Sequence, residues 1–325
     1  MSFLADLIGK VRLEFRSDSR NLKQAVTLFK EKVTQCLIAL DKEGNLRVFD
    51  GEDGGVIRGP KRSRANRENK QTGSLLCQER YLDDDKLEVP YFKAVFNLTD
   101  HSFVIKETNS KVHLIGYESP LMRKRNENTN PEISSRAISC DLVGLTSDQR
   151  VLCIEGKVKP HNASTDIVYG ILESLAYGVC VDYFISERNM DSFTKEVQGC
   201  AKEFHTDIQG ICWKKMTAAF SLAAPKYYFS EFISPQHQTP KKAEKRLDEA
   251  SQLVDVLCEL DGPKWEGFLI LEPPCCVSSF KKCGHRELER MKLIEPHFAS
   301  GAFGISLAKD TVELKKILSF QGVET

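Results

Sequence analysis

Between Cys140 and Val158 the chain reads CDLVGLTSDQRVLCIEGKV, two apolar runs joined by a short polar stretch, with an acid inside each run. Runs of this length around so short a polar segment read as an antiparallel β-hairpin. Positions 141 and 155 are symmetric about Asp148, so a hairpin centred there sets Asp141 opposite Glu155 across the ladder. Side chains alternate along a strand, and Lys157 therefore points to the same face as Glu155. Buried charge is costly unless it is paired or binds a metal. The rest of the fold has to accommodate three charged groups meeting at one place.

Two carboxylates this close repel unless a proton or cation lies between them, and their hard oxygens suit Mg2+ or Mn2+. Such an ion polarises a phosphodiester and activates water, while a neighbouring ammonium orients that water or stabilises developing negative charge.

An Asp on one strand, thirteen residues, then Glu155-Gly156-Lys157 and a helix: this order resembles the PD-(D/E)XK, or restriction-endonuclease-like, nucleases. The resemblance covers about residues 137–186, with Ser139-Cys140 standing where prolines give the family its name. It implies that Asp141 and Glu155 hold metal together with the backbone carbonyl of Gly156, and that Lys157 assists the attacking water. The RecB-like branch adds Gln-x-x-x-Tyr on the following helix; here ESLAY supplies Glu173, in place of Gln, and Tyr177, one turn apart. The implied catalytic set is Asp141, Glu155, Lys157, Glu173 and Tyr177. The implied cofactor is Mg2+ or Mn2+, and the implied partner is nucleic acid, with DNA favoured because the family mostly cuts DNA. An upstream acid often completes such sites, and Glu79, Glu118 and Glu132 are candidates. The rival reading is a non-catalytic module that retains the fold and binds nucleic acid or a partner protein; an intact triad favours the enzyme.

Elsewhere Leu22, Val26, Phe29, Val33, Leu37 and Leu40 recur at steps of three and four, which predicts an amphipathic helix over 21–40. From Asp41 to Lys70 the chain turns polar and glycine-rich, ending in a basic run, and reads as a linker or long loop. A short helix at Ser74–Leu82 and strands at YFKAVFNL, SFVIKE and KVHLIGYES follow. After the hairpin, Ser164 or Thr165 caps a helix to about Val179, with Ile167, Ile171, Leu175 and Val179 as its stripe, and CVDYFIS returns as a strand. A helix starting at Thr239-Pro240 and strands WEGFLILE and GAFGISLA close the chain. The expected fold is α/β, a mixed central β-sheet flanked by helices, with a restriction-endonuclease-like core where the resemblance holds. The expected division is 1–72, a helix and basic linker, and 73–325, the nuclease-like domain.

Formal net charge is zero, so a nucleic acid has to be held by local patches. Arg58, Lys61, Arg62, Arg64 and Arg67 form one, Lys241 and Lys242 with Lys245 and Arg246 another, and Arg123-Lys124-Arg125 a third. Eleven cysteines without a recognisable leader, and no run read as long enough to span a membrane, give a cytoplasmic expectation with reduced thiols and no membrane partner. Sequons at Asn97 and Asn162 then carry no meaning. Cys275 and Cys276 are adjacent and lack the usual two-residue separation, so zinc or an iron–sulfur cluster with Cys283 and His285 is not expected. Among lone histidines, His161 lies nearer the triad than His205. Phosphate-loop, dinucleotide, zincin and serine-hydrolase motifs are missing. A homodimer or a protein partner is left open.

Overall fold

The computed structural model describes residues 3–15, 19–42, 46–47, 92, 95, 102–124, 138–158, 166–187, 198, 216–235, 238–272 and 304–320. Helices α1 (Phe3–Glu14) and α2 (Ser19–Lys42) open the chain. All six residues of the expected α2 stripe are buried, and α1 adds Leu4, Leu7, Ile8 and Val11. Both helices share one hydrophobic cluster with the sheet and its other helices.

The strands are β1 (Leu46–Arg47), β2 (Ser102–Ile105), β3 (Ser110–Lys124), β4 (Ile138–Thr146), β5 (Arg150–Gly156), β6 (Thr217–Pro225), β7 (Lys264–Glu272) and β8 (Gly304–Ala308). Among the described residues they form a mixed sheet in the order β1-β3-β4-β5-β6-β7-β8, with β2 also on β3. β3, β4 and β5 make an antiparallel meander, β5, β6 and β7 run parallel, and β8 returns antiparallel. The chain following β2 reaches β8: Lys106 N donates to Ile305 O at 3.4 Å, and the Glu107 carboxylate accepts from Leu307 N at 2.7 Å.

The β4–β5 register pairs Leu142 with Ile154, Val143 with Cys153 and Leu145 with Val151, the hairpin centre expected at Asp148. In its turn Gln149 takes a positive φ of 71°, and the Thr146 hydroxyl accepts from Arg150 N at 2.9 Å.

Helix α3 (Ile167–Glu187) lies on the sheet over β5 and β6, with α2 and α5 (Pro240–Cys258) against it. The expected strand CVDYFIS is the second half of this helix. Its Val, Tyr, Phe and Ile favour strands by propensity, but a helix buried between a sheet and other helices is apolar nearly all round, so its period is masked. The segment Ile167–Ser186 is in fact long and apolar enough to cross a membrane, contrary to the expectation; 78% of that window is buried inside the fold. The cap is Asp166, not Ser164 or Thr165: its Oδ1 accepts from Tyr169 N at 2.8 Å. Asp166 is itself buried and paired with Arg12 of α1 at 2.7 Å and with Arg246 of α5.

Strand β6 is absent from the sequence reading because TAAFSLAAP is alanine-rich and alanine is a poor strand former; between two parallel neighbours, burial outweighs propensity. Helices α4 (Lys226–Ile233) and α6 (Thr311–Phe320) were likewise unforeseen. Thr239 stands at the N-cap position of α5 without a side-chain capping hydrogen bond, and Pro240 follows in the first turn. YFKAVFNL is not the expected strand at its two described positions, Phe92 and Val95, which are helical. The proposed helix at Ser74–Leu82 and the basic run at 58–70 lie outside the described residues.

β7 carries a register shift against β6 near Trp265 and Gly267. Gly267 has φ of 132°, and a Cβ there would lie 2.4 Å from Ala308 O. Gly267→Ala therefore suffers both backbone strain and a clash with β8, and should lose about 2 kcal/mol in urea unfolding; an unchanged midpoint would mean the bulge relaxes freely.

Candidate active site

β5 turns Cys153 and Glu155 toward α3, and the chain beyond it is held to the sheet by Lys157 N donating to Ala223 O at 2.9 Å. That places Lys157 on the α3 side at the carboxyl ends of parallel β5 and β6, where open α/β sheets commonly build their sites. Its ammonium donates to Glu155 Oε1 at 2.5 Å and to Glu173 Oε2 at 2.8 Å. All three side chains are largely buried, at 6%, 4% and 17% exposure for Lys157, Glu155 and Glu173. The Tyr169 ring centroid lies 5.9 Å from the same ammonium.

Tyr177, on the face of α3 that carries Glu173, is buried. Burial first, then Glu155, Glu173, Asp141 and Cys140, push its phenol well above the usual range, so three carboxylates act on one hydroxyl. In this setting the phenol keeps its proton.

Asp141 sits where the β4–β5 ladder stops. Instead of the next rung, Gly156 N donates to Asp141 Oδ2 at 2.7 Å. The carboxylate thus ties the strand end carrying Glu155 to β4. Cys140 beside it is buried, its Sγ 3.0 Å from Leu142 O and 3.5 Å from Ile154 O, and burial raises its thiol well above normal. On the opposite face Phe92 lies against Gly156 so closely that a Cβ would fall 2.0 Å from its ring. Only glycine fits between Glu155 and Lys157 with Phe92 in place.

One ammonium shared by two carboxylates leaves a negative excess. Burial, and after it the charge on Glu155, push the Glu173 carboxyl well above its usual range against the opposing pull of Lys157. The native state therefore holds a proton on Glu173 after the unfolded chain has lost it. In EDTA, stability should fall as pH rises past the ordinary carboxylate range and level off once Glu173 ionises, with a slope of at most about 1.4 kcal/mol per pH unit. Glu173→Gln should flatten that slope; an equally steep profile in the variant would assign the proton elsewhere.

Glu155 Oε2 is buried and has no hydrogen-bond partner among the described residues. With Asp141 and the Gly156 carbonyl it offers hard oxygen donors of the kind Mg2+ and Mn2+ take. Among the described residues no group of three or more His, Cys, Asp or Glu side chains is arranged to hold a metal ion. An ion held here would have two acidic side chains and a backbone oxygen, and the fit rests on the chemistry of those donors and the open acceptor on Glu155.

The five proposed catalytic residues thus come together at one end of the sheet. Lys241 and Lys242 are exposed on the first turn of α5, whereas Arg246 is engaged by Asp166. Arg58, Lys61, Arg62, Arg64 and Arg67 lie outside the described residues, as do Glu79, Glu132, His161, His205, Cys275, Cys276, Cys283 and His285. Glu118 and Arg123-Lys124 lie in β3. Sequence reasoning missed Tyr169, whose signal was its place four residues before Glu173 and eight before Tyr177 on one helix face. Comparison of the chain with protein-family models, with curated proteins and with solved structures finds no match.

Proposed function

We propose that this protein is a metal-dependent phosphodiesterase acting on nucleic acid, with DNA the first substrate to test, built on a restriction-endonuclease-like core. The observation that carries the reading is the meeting of Asp141, Glu155, Lys157 and Glu173 where the β4–β5 ladder ends under α3. An Asp strand, a Glu-Gly-Lys strand and a helix with a further acid and a tyrosine follow one another, an order similar to that of the PD-(D/E)XK nucleases.

Asp141, Glu155 and the Gly156 carbonyl would hold Mg2+ or Mn2+, which when bound polarises a phosphoryl oxygen and acidifies water. The chain's own groups supply the rest. Lys157, held between two carboxylates, presents fixed positive charge to a phosphate approaching the strand ends and orients the attacking water. Glu173, whose carboxyl stays protonated above the usual range, holds a proton at the edge of the site. Tyr177 remains neutral and keeps its proton. Thiols at Cys140, Cys153, Cys180 and Cys258, free among the described residues, fit a reducing, cytoplasmic setting.

One observation favours a second reading. Lys157 pairs with both Glu155 and Glu173 and offsets part of their charge from within the protein, as a non-catalytic module of this fold would require. End-labelled single- and double-stranded DNA, incubated with Mg2+ or Mn2+ and in parallel with EDTA, separates the two. Metal-dependent shortening supports hydrolysis; retention of the label on full-length strands, with or without a gel shift, supports the module.

A further inference from the structure

We infer that Tyr169 is a positioning residue of this site, its ring holding the Lys157 ammonium against Glu155 and Glu173; the inference rests on the phosphodiesterase reading above. Tyr169 is fixed more firmly than an ordinary first-turn residue. Its N–H is the one capped by Asp166, and Asp166 is pinned by Arg12 from α1 and Arg246 from α5, so three helices set where this ring stands.

The path of the lysine explains why the ring matters. Its stem passes Gly170 so closely that a Cβ there would lie 3.3 Å from Lys157 Cγ. The ammonium then emerges between Tyr169 on one side and Glu173 on the other, all within about one helical turn. Both carboxylates pull the ammonium toward themselves, and the ring is the group that bounds it from the start of the helix. Tyr169 serves as a neutral ring rather than a counter-charge. Burial and the carboxylates of Glu173 and Glu155 push its phenol up to about 12, although Lys157 and Arg12 oppose them. An aromatic face at this distance attracts a cation through its quadrupole, and a partly desolvated pair benefits more than an exposed one.

The prediction is a split in kinetic constants. Tyr169→Met and Tyr169→Leu remove the ring, and each should lower kcat on labelled DNA about tenfold. KM, Mn2+ affinity and melting temperature should stay near wild type, because Lys157 keeps its ion pairs. Tyr169→Phe keeps the ring and should restore wild-type kcat, a rescue that separates the ring from the hydroxyl. The inference is overturned if the ring-less variants turn over at the wild-type rate, if Tyr169→Phe is as slow as they are, or if KM alone changes. A ring-less variant that loses kcat only in proportion to lost folded protein also overturns it. A wild type inert toward DNA with Mn2+ overturns the phosphodiesterase reading itself and this inference with it, and is recognised before any variant is measured.

Discussion

Lys157→Met should cost the metal-free protein about 3–5 kcal/mol of stability, the usual result of removing one member of a buried ion pair. The lysine contributes little net stability as a pair, because desolvating three charged groups offsets much of their attraction. Its removal is costly for another reason: it leaves Glu155 and Glu173 buried side by side with no cation between them. Methionine fills the stem's volume, so the loss reports charge more than cavity. Proton uptake limits the damage, since Glu173 already binds its proton more tightly than an ordinary carboxylate. The loss should therefore be largest at mildly alkaline pH and shrink toward acid, where at least one carboxyl is neutral. Urea melts at the two ends of that range check it. A small, pH-independent change would show that water, not Lys157, balances the pair.

The second large effect is on chemistry. Asp141→Asn and Glu155→Gln should each lower cleavage by on the order of 10^3-fold or more, as loss of a group required in the transition state does. Neither should unfold the protein. Asparagine at 141 retains a carbonyl oxygen to accept from Gly156 N, preserving the tie between β4 and β5. Glutamine at 155 removes one of two crowded carboxylates and still offers an oxygen to Lys157, so its melting temperature in EDTA should match or exceed wild type. Single-turnover rates with excess enzyme measure the chemical step; wild-type rates in either variant would remove that acid from the catalytic set.

The pairing of β4 with β5 was legible because its signal is local. Two apolar runs of matched length around a short polar turn, with an acid in each, fix the register, and a one-residue slip would have put Glu155 on the wrong face. The α2 stripe was legible for a similar reason, being a half-buried surface with a clean 3.6-residue period. What failed were elements buried on every side. The second half of α3 and the whole of β6 show no alternation, so propensity alone turns the first into a strand and leaves the second without a signal. At the site, Asp141, Glu155 and Lys157 announced themselves as charged groups in apolar runs, whereas Glu173 and Tyr177 came from the resemblance to the RecB-like motif. The head-on meeting expected of Asp141 and Glu155 took a different form, with Asp141 bonded to the Gly156 amide where the ladder ends. Tyr169 and the Arg12–Asp166–Arg246 cluster depend on contacts between helices far apart in the chain, which no window of sequence displays.

The central claim is that Asp141 and Glu155 together bind a divalent cation at the end of the β4–β5 hairpin. The measurement that tests it most directly is an electron paramagnetic resonance titration of the purified protein with Mn2+, following loss of the free-ion signal. Wild type should show a saturable site from which Mg2+ displaces Mn2+; Asp141→Asn and Glu155→Gln should each lose it, and Lys157→Met should keep it. Equal Mn2+ binding by wild type and both acid variants would contradict the account, place the ion elsewhere, and leave Glu155, Lys157 and Glu173 as a structural ion pair under α3.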